Sequence, residues 1–258
     1  MSERRPGERL AKYLAHAGVA ARRRAEIEFV ATGRVTVNRA VVTDPATLVQ
    51  RGDVVAVDGR ILRPEPAVTY IVHKPVGVVS AALDARGRAT VVGLIPDPGV
   101  RLYPVGRLDT DSEGLILVTN DGALTHALLH PRRGIPRVYA ALARPRPDPA
   151  SLLRLESGVA LSDGLGRAEA VRLSAAPVGI APGAGREPGD GWVHLTLREG
   201  RNRQARRMLA AVGCDVLRLV RIQFGPLRLE RLAPGQARRL SAEELARVWA
   251  GCGLPARR

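Results

Sequence analysis

The chain has 258 residues, enough for one or two domains with a substantial core, and its 45% of hydrophobic residues indicates a globular protein. Forty lysines and arginines against 25 acids give a net charge of +15, which points to a polyanionic partner, most often nucleic acid. No apolar run in the sequence is long enough to span a membrane, the first residues do not have the apolar core of a signal peptide, and two cysteines are too few for a disulfide framework. We therefore expect a soluble cytoplasmic protein.

The first sixty or so residues predict a small module of two helices and short strands. Apolar residues keep helical spacing over 10–17 up to Gly18, and Ile27 with Val30 continues it on a second helix before Gly33. Three valine-rich pieces are typical of strands and occupy residues 35–37, 41–42 and 54–57.

Arginines are concentrated in this module. Arg22, Arg23 and Arg24 open the second helix, and Arg34 and Arg39 flank the first strand. A lone basic triplet is usually a solvated face, and that reading is the alternative here. Five arginines in so small a module, on so basic a chain, favour a phosphate-binding face.

A larger, strand-rich domain is expected from residue 68 onward, after a proline-containing linker at 63–67. It has few helices, which predicts an α+β fold. The Gly/Pro-rich segment 181–191 predicts an exposed insertion. Helices are expected at 123–130, at 202–212 and at 241–250, where Ser241 and Glu244 form a capping box. Strands are expected at 68–72, 115–118, 137–143, 168–174, 192–197 and 216–222.

Residues 103–122, YPVGRLDTDSEGLILVTNDG, place several charges directly before an apolar run typical of a strand buried on both faces. Charges at the mouth of a buried strand are costly unless they are paired. Arg107 lies two positions before Asp109 and would keep that carboxylate ionised, which suits a nucleophile. Asp111 is an equal candidate by spacing, and a solvated acidic turn is the alternative to an active-site loop.

A second concentration of charge lies at residues 198–239, which hold eleven arginines against three acids. A helix that begins near Asn202 would place Arg203 and Arg207 on one face, with Arg206 beside them. Backbone amides and arginines at the start of a helix suit a phosphate. A solvated helix face is the alternative, and the density of positive charge favours nucleic acid.

Two further features concern aromatic and imidazole side chains. Tyr139 follows Arg137 after the break at Pro136, and it could stack on a base extracted from RNA or simply fill the core. His126 and His130 have the i,i+4 spacing of zinc ligands, but no third ligand accompanies them, so no metal site is predicted.

Three motifs in this order resemble the RsuA/RluB family of ribosomal RNA pseudouridine synthases. HKPVG at 73–77 is similar to the family's first motif, GRLDTDSEGLILVTNDG at 106–122 to the second, and EGRNRQARRM at 199–208 to the third. The segment RLAKYLAHAGVAARRRAEIEFVATGRVTVN at 9–38 resembles the RNA-binding domain named after ribosomal protein S-four. The resemblance covers nearly the whole chain.

The resemblance implies roles that spacing left open. The aspartate after Arg-Leu in the second motif is the family's catalytic residue, which is Asp109 here. The family's active-site tyrosine corresponds to Tyr139, where Arg137 replaces the usual lysine. The arginine that pairs with the catalytic carboxylate falls most naturally on Arg206, with Arg203 and Arg207 as close alternatives. Leu219 is the apolar residue under the base.

The resemblance also defines the expected sites and domains. The expected catalytic residues are Asp109, Tyr139, Arg206 and Arg107. The expected RNA contacts are Arg22, Arg23, Arg24, Arg34, Lys74, Arg137, Arg201, Asn202, Arg203, Arg207 and Leu219. Relatives usually carry serine where this chain has Ala21, so its second helix lacks a capping oxygen worth about 1 kcal/mol. The expected domains are an S-four-like module at 1–62 and a catalytic domain with a mainly antiparallel sheet at 68–258, joined by the linker.

The activity that the resemblance implies is the isomerisation of a uridine in ribosomal RNA to pseudouridine, without a cofactor or metal. The partner is then ribosomal RNA or an assembling ribosomal subunit, and the protein is expected to be monomeric. The wording Glu-Gly-Arg-Asn-Arg-Gln in the third motif favours the large-subunit RNA over the small-subunit RNA. A non-catalytic RNA-binding assembly factor is the alternative from another functional class.

Overall fold

The computed structural model describes residues 7–180 and 187–255, and the chain divides into two compact units. The first unit comprises Met1–Ala67 and Gly99–Arg101, and the second comprises Val68–Pro98 and Leu102–Arg258. Residues 63–67, which we expected to form a linker, belong to the first unit. The limits of the functional domains stay a prediction.

The described residues of the first unit form two short α-helices and two small sheets. The helices are α1 (Leu10–His16) and α2 (Arg22–Ala25), and α2 continues directly into a π-helical turn at Glu26–Val30. The strands are β1 (Glu8–Arg9), β2 (Val35–Val37), β3 (Ala40–Val41), β4 (Leu48–Val49), β5 (Val55–Val57) and β6 (Arg60–Ile61). Four of the strands form a sheet in the order β3-β2-β5-β6, and β1 pairs with β4.

The π-helical turn changes which side chains of the second helical segment reach the core. Ala25 and Val30, five positions apart, are both fully buried, whereas Ile27 is 61% exposed. The sequence pattern placed Ile27 and Val30 on one helical stripe, and this is wrong for Ile27. An i→i+5 turn is wider than an α-helical turn, so side chains three positions apart no longer share a face.

The second unit is built on a nine-stranded mixed sheet. The strands of this unit are β7 (Thr69–Lys74), β8 (Tyr103–Val105), β9 (Glu113–Thr119), β10 (Arg137–Arg144), β11 (Val159–Leu161), β12 (Gly164–Gly166), β13 (Ala170–Ser174), β14 (Gly191–Leu197), β15 (Asp215–Phe224), β16 (Leu227–Arg228) and β17 (Ala237–Arg239). The sheet order is β13-β14-β10-β15-β9-β7-β17, with β8 on β9 and β16 on β15, while β11 and β12 form a separate hairpin. Among these strands β9 and β15 run parallel and the other pairs are antiparallel. The predicted α+β fold is confirmed.

Hydrophobic cores lie on both faces of this sheet. Alternate residues of β10 divide between them: Ala140 and Leu142 pack in one core, and Ala141 and Ala143 in the other. All seven residues of β9 are buried, which confirms the prediction of a strand buried on both faces.

In the described part of this unit, four α-helices and a 3-10 turn at Pro131–Arg133 accompany the sheet. The α-helices are α3 (Gly122–Leu129), α4 (Pro149–Ser157), α5 (Gln204–Ala210) and α6 (Ala242–Gly251). The predicted capping box of Ser241 and Glu244 is present at the start of α6. Residues 181–186 of the expected insertion lie outside the described residues. Within the described ranges, no helix is long and apolar enough to cross a membrane.

Candidate active site

The loop that carries Asp109 connects two neighbouring strands. It leaves β8 through Gly106, whose φ of +75° favours glycine, and it enters β9 at Glu113. The Ser112 N–H donates a hydrogen bond of 3.1 Å to the Asp109 carbonyl and closes a turn around the aspartate. The Asp109 side chain is 31% exposed, so a ligand can reach its carboxylate.

Two contacts from the segment after β7 hold the backbone on either side of Asp109. The Ser80 hydroxyl donates to the Leu108 carbonyl at 2.8 Å and accepts from the Leu108 N–H at 3.0 Å. The Gly77 N–H donates to the Thr110 carbonyl at 2.8 Å. The residues immediately before and after Asp109 are therefore both tied to the segment 77–80. Sequence reasoning missed Ser80, because a contact across the fold leaves no local signal.

Lys74 has a structural position in place of the expected RNA contact. Its side chain is fully buried, and its ammonium group donates to the carbonyls of Pro75 at 3.0 Å and Val78 at 2.9 Å. Burial lowers the pKa of Lys74 to about 8, against a smaller opposing effect of nearby carboxylates such as Asp109. Because the ammonium group is enclosed by the turn, we withdraw Lys74 as an RNA contact.

A close approach of two backbones positions the site at the junction of β9 and β15. A Cβ on Gly114, whose φ is +111°, would lie 2.4 Å from the Arg221 carbonyl oxygen, so only glycine fits here. Beside it, the buried Glu113 pairs with Arg218, whose Nη2 donates to Glu113 Oε2 at 3.0 Å. The Glu113 carboxylate is thus engaged in an ion pair, and we assign it no catalytic role.

The arginine nearest to the Asp109 carboxylate is Arg203. Its Nη1 lies 3.8 Å from Asp109 Oδ2, and its two terminal nitrogens donate to the Asp111 carboxylate at 3.0 and 2.8 Å. These hydrogen bonds hold the pKa of Asp111 below its ordinary value. Asp111 therefore stays ionised and fixes the guanidinium of Arg203 beside Asp109.

Arg206 occupies a different place from the expected one. It donates to the carbonyls of Asp111 and Val216, each at 2.9 Å, and its Nε lies 3.5 Å from Asp111 Oδ2. Helix α5 begins at Gln204, two residues later than expected, so Arg203 precedes the helix with a positive φ and reaches the loop. In the described part of the chain the ion pair of Asp109 is formed with Arg203 and not with Arg206.

A cleft of about 360 Å³ opens above Asp109, and we call it the main cleft. It brings together most of the residues expected from the sequence. Those are Arg107, Asp109, Arg137, Tyr139, Arg201, Asn202, Arg203 and Leu219. Its other lining residues are Val105, Gly106, Leu108, Ser112, Leu129, Leu197, Glu199, Gly200, Gln204, Ala205, Arg221 and Phe224.

Two buried arginines flank the ring of Phe224 in the main cleft. The guanidinium carbons of Arg137 and Arg221 lie 5.0 and 5.1 Å from the ring centroid. Arg221 is 2% exposed and donates from Nε to the Leu115 carbonyl at 2.7 Å. Its Nη2 has no partner among the described residues. The period of two along β15 places Arg221 on the same face as Leu219, a signal that could have found it.

The remaining arginines of the third motif are engaged by acids. Arg201 donates from Nε to Glu199 at 2.7 Å. Arg207 donates to Asp163 at 2.7 and 2.9 Å and does not line the main cleft. The expected shared face of Arg203 and Arg207 is therefore not formed, because the two guanidinium groups bind acids on different loops.

In the first unit the four expected RNA-binding arginines are all exposed. Arg24 pairs with Glu28, and Arg34 pairs with Asp58 and stacks over Phe29. Arg22 and Arg23 form no ion pair within the described ranges. Ala21 caps α2 without a side-chain hydrogen bond, as the sequence implies.

The two histidines of α3 contact each other. The rings of His126 and His130 pack edge to face with centroids 5.1 Å apart. Among the described residues no group of three or more potential metal ligands is present.

Comparison with known proteins identifies both parts of the chain. The RNA pseudouridylate synthase family matches residues 68–211, and the S4 domain matches residues 8–55. A crystal structure of a pseudouridylate synthase aligns with a TM-score of 0.63 at 24% identity, over 93% of this chain and 99% of that chain, which shows a shared fold.

Full-length relatives are also similar. The chain is 40% identical over 242 residues to the ribosomal large subunit pseudouridine synthase B of Bacillus subtilis, covering 93% of this chain and 95% of that relative. It is 38% identical over 248 residues to an uncharacterized RNA pseudouridine synthase of Aquifex aeolicus, covering 95% of each. It is 37% identical over 262 residues to the ribosomal large subunit pseudouridine synthase B of Haemophilus influenzae, covering 97% of this chain and 69% of that relative.

Proposed function

The chain belongs to the RsuA/RluB family of pseudouridine synthases, which are isomerases, and from this membership we propose that it converts a uridine of large-subunit ribosomal RNA to pseudouridine. The observation that carries the proposal is the Asp109 carboxylate at the main cleft, 3.8 Å from Arg203 and in a cleft lined by Tyr139 and Leu219. The names of the relatives from Bacillus subtilis and Haemophilus influenzae support the large subunit as the source of the substrate.

Asp109 acts at the ribose of the target nucleotide. The bond between the ring nitrogen and the ribose carbon breaks, the freed uracil turns, and ring carbon five forms the new bond to the same ribose carbon. The proton lost from ring carbon five and the proton gained by the ring nitrogen balance, so substrate and product are isomers. Arg203 keeps a positive charge 3.8 Å from the reacting carboxylate throughout.

The walls of the main cleft suit a uracil taken out of its stack. Tyr139 offers an aromatic face and Leu219 an apolar surface, while both line the same cleft. The unpartnered Nη2 of Arg221 is a buried donor that a uracil carbonyl would satisfy. Arg107, which is exposed and lines the cleft, assists in displacing the base.

The S4 domain is proposed to anchor the RNA. Its exposed arginines, Arg22 and Arg23 in particular, would neutralise phosphates, which adds affinity without sequence selectivity. Removing residues 1–62 should weaken RNA binding and lower its dependence on salt, because fewer counterions are released. The chemistry would remain in the rest of the chain.

The experiment that tests the proposal compares Asp109→Asn with Asp215→Asn. Asp215 is exposed on β15 and lines neither the main cleft nor the cleft next to it, so it serves as a matched control. Ribosomal RNA from cells that lack the protein is the substrate, and pseudouridines are mapped after incubation with each variant. We expect one site in large-subunit RNA to be formed by the wild type and Asp215→Asn, and not by Asp109→Asn.

Each outcome is informative. Turnover by Asp109→Asn would overturn the role of Asp109. A site in small-subunit RNA would correct the substrate while keeping the chemistry. RNA binding by the wild type without any new pseudouridine would replace the enzyme with a non-catalytic RNA-binding factor.

A further inference from the structure

A second cleft lies next to the main cleft, and we call it the side cleft. It has a volume of about 530 Å³ and lies between the segment Val79–Ala81 and the loop Arg107–Asp111, with Arg203 completing its wall. The main and side clefts share Arg107, Leu108, Asp109 and Arg203. The two clefts therefore meet at Asp109.

The lining of the side cleft combines apolar and cationic groups. Val79 and Ala81 contribute apolar surface on one wall, and Arg107 and Arg203 contribute guanidinium groups. Arg203 is held by Asp111, whereas Arg107 is exposed and forms no ion pair in the part of the chain that the structure describes. Arg107 thus keeps all its donors for a ligand at the point where the two clefts meet.

The walls of the side cleft are formed before any ligand binds. Val79 donates from N–H to the Ala89 carbonyl at 2.9 Å and accepts from the Val91 N–H at 3.0 Å. Ser80 is bound to Leu108 through its hydroxyl. Ser80 therefore connects the two walls of the side cleft, and hydrogen bonds within the segment 79–91 hold the wall that contains Val79. A preformed cleft of this size lies in the usual range for small-ligand sites.

We propose that the side cleft binds the nucleotide directly next to the target uridine. When the target uridine of an RNA strand enters the main cleft, the next nucleotide of that strand lies near Asp109, where the side cleft opens. Arg107 then contacts the phosphate that joins the two nucleotides, and the apolar wall of Val79 and Ala81 receives the neighbouring base. The inference rests on the proposed function and adds a second position at which the substrate is recognised.

The test fills the side cleft and leaves the main cleft unchanged. Ala81→Trp places a large side chain on the apolar wall, and Ala85→Trp is the matched control, since Ala85 is exposed in the same segment and lines neither cleft. The substrate is a fragment of ribosomal RNA around the uridine that the mapping experiment identifies. We expect KM for Ala81→Trp to rise at least about tenfold over Ala85→Trp, with kcat within twofold.

Two more measurements make the result specific. Two further RNA fragments each carry an abasic site, one on the 5′ side and one on the 3′ side of the target uridine. One of the two should raise KM for the wild type relative to the intact fragment, whereas for Ala81→Trp the same fragment should give no further rise in KM. Should Ala81→Trp unfold, Ala81→Glu with Ala85→Glu as control replaces it, because a carboxylate would repel the phosphate.

The outcomes separate this inference from the proposed function. A wild type without turnover overturns the function itself. An active wild type whose Ala81 variants match their controls, or lose kcat with KM unchanged, overturns the side cleft as a nucleotide site. If the wild type has the same KM on the intact fragment and on both abasic fragments, the side cleft is likewise overturned as a nucleotide site.

Discussion

The hydroxyl of Ser80 satisfies both backbone groups of Leu108, donating to its carbonyl at 2.8 Å and accepting from its N–H at 3.0 Å. Leu108 is 7% exposed, so water cannot readily replace either bond. Since Asp109 is the next residue, Ser80 sets the position of the proposed catalytic carboxylate without touching it.

Ser80→Ala is expected to lower kcat by roughly tenfold while KM changes by less than about threefold. Alanine leaves two buried backbone groups unpaired, at a cost of about 1–3 kcal/mol for each, and the loop relaxes away from its reactive geometry. Ser80→Thr keeps the hydroxyl and should restore most of the rate. Single-turnover and steady-state kinetics on the same RNA fragment measure both parameters.

The control for Ser80→Ala is Ser174→Ala, a half-exposed serine on β13 that lines neither cleft. An unchanged kcat for Ser80→Ala, or a threonine variant no better than alanine, would show that the Ser80 hydroxyl does not position Asp109.

The sequence predicted local features well and contacts across the fold poorly. The buried strand after Asp109 and the capping box at Ser241 follow from short-range patterns, and both are present. The partner of Asp109 depends on whether α5 begins at residue 202 or 204, which caps and propensities do not decide. Ser80 was out of reach because it acts on a loop 28 positions away.

Two errors have the same origin in tertiary structure. Lys74 was expected as an RNA contact from the family resemblance, yet the turn after β7 encloses it. Ile27 followed a helical period that the π-helical turn interrupts. In both cases the local pattern was compatible with more than one environment, and packing chose between them.

Arg203 and Arg207 lie four positions apart, and their ion pairs predict different consequences for activity. Arg203→Ala should lower kcat/KM by about 10- to 100-fold, because it removes a charge 3.8 Å from Asp109 and frees Asp111. Arg207→Ala should stay within about threefold of the wild type, since Arg207 is bound to Asp163 outside both clefts. Kinetics of pseudouridine formation test the contrast. Equal losses in the two variants would contradict the assignment of Arg203 to the site.

Lys74 predicts a pH dependence of stability. Its pKa is about 8 in the folded chain, below the ordinary lysine value of 10.5, because burial disfavours the charged form. Below about pH 8 the amine is charged in both states, and the cost of burying the charge is fully present. Between about pH 8 and 10.5 the unfolded chain holds the proton that the folded chain has lost, so the contribution of Lys74 to stability rises with pH, by on the order of 2–3 kcal/mol.

Urea unfolding at pH 7, 8, 9 and 10 measures this effect against Lys74→Met. The difference in the free energy of unfolding between wild type and Lys74→Met should shift in favour of the wild type as pH rises. Lys12→Met is the control, because Lys12 is the chain's other lysine and is half-exposed, in an ion pair with Glu8. A constant difference between wild type and Lys74→Met across this range would show that the amine keeps an ordinary pKa.

Because Glu113 and Arg218 form an ion pair, the effects of replacing both residues on the free energy of unfolding should not be additive. The Glu113 side chain is 5% exposed and that of Arg218 is 22% exposed, so removing the arginine strands a buried carboxylate. Arg218→Met should lower the free energy of unfolding by about 3 kcal/mol, the lower end for a buried pair. Arg218→Met with Glu113→Leu should recover more than half of that loss, because no buried charge is left. Denaturant unfolding of the wild type, Arg218→Met, Glu113→Leu and the double variant measures the coupling. Additive losses would mean that solvent, rather than Arg218, compensates the Glu113 carboxylate.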